Sequence, residues 1–394
     1  MAGQRVLLVH LTSNGDCLMA TTVARQIKKD YQDCHLTWAI SERCKQVIEN
    51  NPFVDEIWSI RFEPHEDPHD DVWPRAKAEA LRRQRDGQFD HVFFTQIYPE
   101  NFNDFDGTTR SSIFRPYPGK ITVPVEPVLY LSESEVKRVA QFASKHALQD
   151  YKNVVLFECS PASNQSLMTA EKAIRISTQI ADKRRDTAFI ISSNKPFHSN
   201  SPAIIDGSVL SLRENAELSK YCSLLLGCSS GISWLLTSNS AKKIPTIQFL
   251  HRTSCWYSFA SMKYDHKFWG LGTEHILETD VYKEQDIVDL VSKYLGQGHF
   301  GGIREATFAP SIQQIHDLYR MRHGHLDIMR VLRNFSERNK QPSVSRVSFY
   351  FGQLRYEVRW DTSALARRAL LLTKPIMSVL RRGADGIASR RPFR

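Results

Sequence analysis

The chain has 394 residues, 41% of them hydrophobic and 24% charged; this exceeds what one core usually serves and suits two. No run approaches the roughly 18–20 apolar residues that span a bilayer. The net charge of +9 is concentrated at one end: from Arg346 onward eleven basic residues accompany three acids. A basic tail argues against nucleic-acid binding, which usually spreads positive charge over a folded domain, and for an anionic surface or partner.

In chain order, Val6 to Leu11 is a near-continuous apolar run, the mark of a strand buried on both faces of a parallel sheet. The apolar run stops at Asn14-Gly15-Asp16 and has no small-residue cleavage site, so it does not read as a secretory signal and the cytoplasm is expected. Met19, Val23 and Ile27 then give one face of a helix ending near Lys28-Lys29. Strands are predicted over Leu36 to Ile40, Glu56 to Ile60 and His91 to Phe94, with a charged helix over Arg75 to Arg85. Four prolines between Pro116 and Pro127 close this half, and its boundary is placed near residue 150.

A second alternating series follows. Strands are predicted over Asn153 to Phe157, Thr187 to Ser192, Ser223 to Cys228 and Thr246 to Leu250. Helices are predicted over Thr169 to Arg184, Glu214 to Tyr221, after the turn Ser229-Ser230-Gly231, and over Glu284 to Leu295. The alternation predicts an α/β chain with two Rossmann-like, doubly wound domains, residues 1–150 and 151–300, facing a cleft. Residues 301–394 form an extension: a charged helix over 311–338, a hairpin-like alternation over 345–360, and the basic tail. In that tail Leu365, Ala369, Leu372, Ile376 and Val379 share one helical face and Arg367, Lys374 and Arg381 the other. Residues 362–394 are therefore expected to meet an anionic membrane surface, although Pro375 breaks the helical run. Seven scattered cysteines without a Cys-x-x-Cys read as reduced thiols.

Three loops follow strands in the positions where open α/β sheets bind ligands. The first is Thr12-Ser13-Asn14-Gly15-Asp16, in which Asp16 is either a general base for a sugar hydroxyl or an N-cap. The second is Ser229-Ser230-Gly231, whose hydroxyls and amides suit a diphosphate or a plain β–α turn. The third runs from Ser160 through Ser163, Asn164 and Gln165, with the same geometry but the composition of a common connector. Asp104-Phe105-Asp106 matches a metal-binding Asp-x-Asp but lies in a polar loop, and no metal or other cofactor is expected.

These segments together resemble the bacterial heptosyltransferases of glycosyltransferase family 9. Residues Val6 to Ala24 are similar to that family's strand leading into Ser-x-Gly-Asp and a helix, and Asn51-Pro52-Phe53-Val54-Asp55-Glu56 to its Asn-Pro-x-Val-Asp-Glu segment. Gly87 to Val92 resembles its Tyr-Asp strand, Ala216 to Ser240 the stretch around its Asp-Ser-Gly-x-x-His-Leu signature, and Lys243 to Leu250 the strand after it. The likeness spans residues 5 to 295. It implies a GT-B fold and an inverting, metal-independent transfer from a nucleotide-sugar to a glycan or lipid-linked glycan. Asp16 would be the base, Ser13, Asn14 and Gly15 would lie on the acceptor side, and Ser160, Ser163, Asn164, Gln165, Ser229, Ser230 and Gly231 on the donor side. The same architecture also serves nucleotide-sugar epimerases, and a non-catalytic glycan-binding descendant fits the departures. Where the signature has its acid and histidine this chain has Ser229 and Trp234, and the family's Lys-x-Trp is missing between Ser160 and Met168.

Overall fold

The computed structural model describes residues 3–63, 65–159, 161, 165–251, 261–308, 330, 331 and 333–335. The described residues belong to one compact unit. Ser160, Ser163, Asn164, Cys255, the hairpin expected over 345–360, the tail 362–394 and most of the helix expected over 311–338 lie outside the described residues.

The first half runs β1 (Arg5–Val9), α1 (Asn14–Asp30), β2 (His35–Ser41), β3 (Glu56–Ile60), α2 (Trp73–Arg85), β4 (His91–Phe94) and α3 (Thr109–Phe114). After a connector come α4 (Glu133–Lys145), β5 (Asn153–Glu158), α5 (Ala170–Lys183), β6 (Thr187–Ser192), β7 (Ile204–Asp206), α6 (Glu214–Leu218) and β8 (Leu224–Gly227). The described order ends α7 (Gly231–Leu235), β9 (Thr246–Phe249), α8 (Met262–Phe268), β10 (Ile276–Thr279) and α9 (Glu284–Gln297).

All strand pairs are parallel, in two sheets ordered β3-β2-β1-β4 and β10-β9-β8-β5-β6-β7. Counted from its own first strand, the second sheet runs 3-2-1-4-5-6, the order of dinucleotide-binding sheets, and the first sheet is the 3-2-1-4 part of it. Strand order therefore reverses between β1 and β4 and between β5 and β8. Ligands of such sheets bind outside the carboxyl ends of the strands at these points.

Why the strands read as solid apolar runs is visible in β5. Val155 and Phe157 point into one buried cluster with Ile176 and Ile180 of α5, while Val154 and Leu156 point into another with Val139 and Phe142 of α4. Both faces are covered, so alternation in polarity disappears. Burying each such side chain contributes about 1.5–3 kcal/mol. Helix α4 starts on a capping box: Ser132 caps the Glu135 amide while the Glu135 carboxylate accepts from the Ser132 amide at 2.7 Å. It occupies the stretch in which the sequence reading placed only a domain boundary. Among the described residues, no helix is long and apolar enough to cross a membrane.

Candidate active site at the facing sheet edges

The loop after β1 is held by side chains that leave the neighbouring strand β4. Gln96 accepts from the Leu11 and Thr12 amides at 2.8 and 3.2 Å and donates back to the Thr12 carbonyl at 3.0 Å. His10 is fully buried beside it, 3.2 Å from the Thr95 hydroxyl, and burial lowers its pKa to about 4. It stays neutral at physiological pH and braces the loop without adding charge.

Asp16 sits in the first turn of α1, where a carboxylate is favoured by the helix dipole. Its side-chain partner is the Ser13 hydroxyl, which donates at 3.1 Å; Ser13, and not Asp16, holds the N-cap position. The residue retains some solvent contact. Burial of the carboxyl raises its pKa to about 6, against the opposing pull of the Ser13 hydroxyl and amide. A carboxylate so placed is ionised at neutral pH yet a stronger proton acceptor than an ordinary aspartate. Asn14 next to it is half-buried, and its Oδ1 has no hydrogen-bond partner.

The two loops at the reversal points meet. A Cβ placed on Gly231 would lie 3.9 Å from Asn14 Cβ, and one on Gly15 would lie 3.4 Å from Trp234 Cδ1. Trp234 stands where the resembled signature carries its histidine, so an indole packs on Gly15. Loops 13–16 and 229–231, expected to serve one reaction, are thus adjacent.

The second loop is organised around a residue that the sequence reading did not single out. Glu158, the last residue of β5, is buried with its carboxylate at the start of α7. It accepts from the amides of Cys228 at 2.8 Å, Ser230 at 3.3 Å, Ile232 at 2.8 Å and Ser233 at 3.1 Å, and from the Ser233 hydroxyl at 2.5 Å. The Ser229 amide donates to Gln248 Oε1 at 2.6 Å, and the Ser229 carbonyl accepts from Gln165 Nε2 at 2.9 Å. Ser229 takes a left-handed backbone, φ 49°, to present these groups. Gly227 is required here, because a Cβ would fall 2.5 Å from Gln248 Nε2 and from Ser233 Oγ. The amides that a diphosphate would use are therefore committed to the chain's own carboxylate. The sequence signal was an acid closing an otherwise apolar strand, Val154-Val155-Leu156-Phe157-Glu158.

The Asp-x-Asp match is accounted for by ion pairs: Asp104 meets Arg330 and Asp106 meets Arg115, each at 2.5 Å. Gln165 is buried, with its Oε1 unpartnered.

Compared with known proteins, the sequence matches no protein-family model and no curated protein. Solved structures are similar in fold. The glycosyl transferase of family 9 from Veillonella parvula superposes with a TM-score of 0.50 at 14% identity, covering 81% of this chain and 97% of that one. The heptosyltransferase WaaC of E. coli, solved with ADP, gives 0.45 at 11% over 75% of this chain and 99% of its own. A putative UDP-N-acetylglucosamine 2-epimerase from Listeria monocytogenes gives 0.45 at 12% over 88% and 99%. The fold is α/β, two parallel sheets of GT-B type. At such identities the likeness speaks to architecture, and function has to come from the site.

Proposed function

We propose that the chain is a glycosyltransferase that moves a sugar from a nucleotide-sugar to a hydroxyl of a glycan or lipid-linked glycan in cell-surface polysaccharide synthesis, with inversion and without a metal. The observation that carries this reading is Asp16, a carboxyl with its pKa raised to about 6, held at the β1/β4 reversal point against the opposite sheet's loop. In the step, the acceptor O–H gives its proton to Asp16 while its oxygen attacks the anomeric carbon. The bond from that carbon to the diphosphate oxygen breaks, and the nucleoside diphosphate leaves with the electron pair. Ser13, Asn14 and Gly15 would contact the acceptor. Because Glu158 fills the amides of Cys228, Ser230, Ile232 and Ser233, the departing charge would fall to Ser160, Ser163, Asn164, Gln165 and the Ser230 hydroxyl. The basic tail, residues 362–394, would bring the enzyme to the membrane that carries a lipid-linked acceptor.

A second reading, a non-catalytic glycan-binding descendant, is favoured by that same carboxylate at the amides. The separating experiment is a thermal-shift screen against nucleoside diphosphates and sugar nucleotides, followed by product detection with whichever donor stabilises the chain. Stabilisation with transfer supports the enzyme. Stabilisation by none of them, with glycan binding retained, supports the descendant.

A further inference from the structure

Away from the loops just described, a cavity of about 440 Å³ opens between the 124–127 connector, the end of α7 and α8. It lies beside the later turns of α1: Thr22 donates to the Glu126 carbonyl at 3.1 Å. Six residues separate Thr22 from Asp16, about 9 Å along the helix. Its size is that of a small-molecule site.

The cavity's inner end carries unmet hydrogen-bonding groups. Arg110 is fully buried on α3 and donates through Nε to Asp265 of α8 at 2.8 Å. Its two terminal nitrogens, Nη1 and Nη2, are buried and have no partner. Beside them, buried His266 also lines the cavity, with Nδ1 3.1 Å from the Gly272 carbonyl and Nε2 unpartnered. A carbonyl only accepts, so Nδ1 holds the proton, and Nε2 of the neutral ring is an acceptor. Burial, first among its causes, lowers the His266 pKa and favours that neutral form.

Leaving buried donors of an arginine unpaired costs more than an ordinary lost hydrogen bond. The end-on fork of a guanidinium matches two oxygens of a carboxylate or phosphate. At the mouth stand Lys243, which makes no ion pair among the described residues, and His275. Of the two acids there, Glu126 is already engaged by Arg25 at 3.6 Å, and Glu274 is exposed. Val125, Pro127, Leu236 and Leu271 give the cavity apolar walls.

We infer that this cavity is a second small-molecule site. It takes an organic oxyanion end-on through Arg110 Nη1 and Nη2, with an O–H of the ligand donating to His266 Nε2 and an apolar body against the proline-rich connector. The site does not depend on the transferase reading. Arg110 lies over the Trp234 ring, its guanidinium carbon 5.6 Å from the ring centroid.

The test is calorimetric titration of the full chain with two probes. Phenyl phosphate carries a phosphoryl group, and mandelate carries a carboxylate with an adjacent hydroxyl. Each is run against equal ionic strength of sodium chloride. Saturable binding of either supports the site, and the probe preferred identifies the oxyanion. Arg110→Lys keeps the charge opposite Asp265 but removes the fork, and should weaken binding about tenfold or more. Val125→Trp fills the cavity without touching the ion pair, and should weaken it comparably in a chain whose circular dichroism is unchanged. No saturable binding of either probe to the wild-type chain overturns the inference. So does binding that both variants leave intact.

Discussion

The two loops at the reversal points are built from similar residues and end up in opposite states. At the edge of the first sheet, Ser13-Asn14-Gly15-Asp16 keeps a carboxylate whose hydrogen-bonding partner among side chains is one hydroxyl, and an Asn14 oxygen with no partner. At the edge of the second, the turn from Cys228 to Ser233 spends five amides on Glu158 and Gln248. One loop holds chemistry in reserve, and the other has closed on itself. A glycine- or serine-rich β–α turn therefore does not identify an anion site until the neighbouring strand's last side chain is known. Here that side chain supplies the anion from within the fold.

The largest effect expected from this contrast is on catalysis. Asp16→Asn should lower turnover by about 10²–10⁴-fold, the usual contribution of a general base, while donor affinity stays within a few-fold. Rate measurements with the donor found in the thermal-shift screen check this. Near-normal turnover would remove Asp16 from the mechanism and leave the two loops functionally alike.

Next comes the closed loop. Glu158→Ala strips a charged acceptor from four buried amides and a hydroxyl, and a single hydrogen bond to a charged group contributes about 1.5–3 kcal/mol. A loss of at least about 3 kcal/mol in urea unfolding is expected, less than the sum because such bonds are not additive. The vacated amides should then bind an external anion: pyrophosphate should restore stability to the variant and do nothing comparable to the wild-type chain. Equal stabilisation of both chains would mean that the turn takes a diphosphate despite Glu158.

The pH dependence of stability tests the open loop through Asp16. Asp16 has its folded pKa raised above the usual aspartate value, so the folded state holds its proton more tightly than the unfolded chain does. Its contribution to stability is complete below about pH 4 and is lost as pH rises through about 6. Asp16→Asn should accordingly stabilise the chain at pH 7 and make little difference at pH 4, as followed by thermal unfolding at each pH. Buried Glu278, raised to about 7, titrates in an overlapping range in both proteins and cancels in the difference. Transfer should rise with pH and level off above about 6, because the ionised form is the base.

The sequence was informative where periodicity and order carry the signal. The long strands, α1, α5 and α9, and the positions of the loops at 13–16 and 229–231 follow from apolar runs that end at small polar turns. β7 escaped because three residues are too short to show a pattern, and β10 because Ile276-Leu277-Glu278-Thr279 has an apolar run of only two. α4 escaped although Ser132 and Glu135 form a readable capping box, because nearby prolines suggested a boundary. Glu158, Gln96 and the Arg110–Asp265 pair were out of reach for a different reason. Each works through a partner 70 to 155 residues away, and local spacing contains no record of such contacts.

The smallest effect concerns Gly231, and it tests whether the closed loop keeps any role in binding. Its backbone lies outside the positive-φ region, so the conformation itself does not demand glycine. An added Cβ would come to 3.4 Å from Leu212 Cδ1 and 3.9 Å from Asn14 Cβ, ordinary van der Waals distances. Gly231→Ala should therefore change stability by no more than about 0.5–1 kcal/mol, with a gain in helix propensity offsetting the tighter packing. The same Cβ would project toward Asn14, into the space where the two loops meet. A donor sugar lying between them would be obstructed by one methyl group, whereas a donor held by the 160–165 loop alone would not. Transfer kinetics of the folded variant make the distinction. An unchanged rate and KM would show that the second loop acts only as a wall, and a raised KM with unchanged stability would show that substrate passes against it.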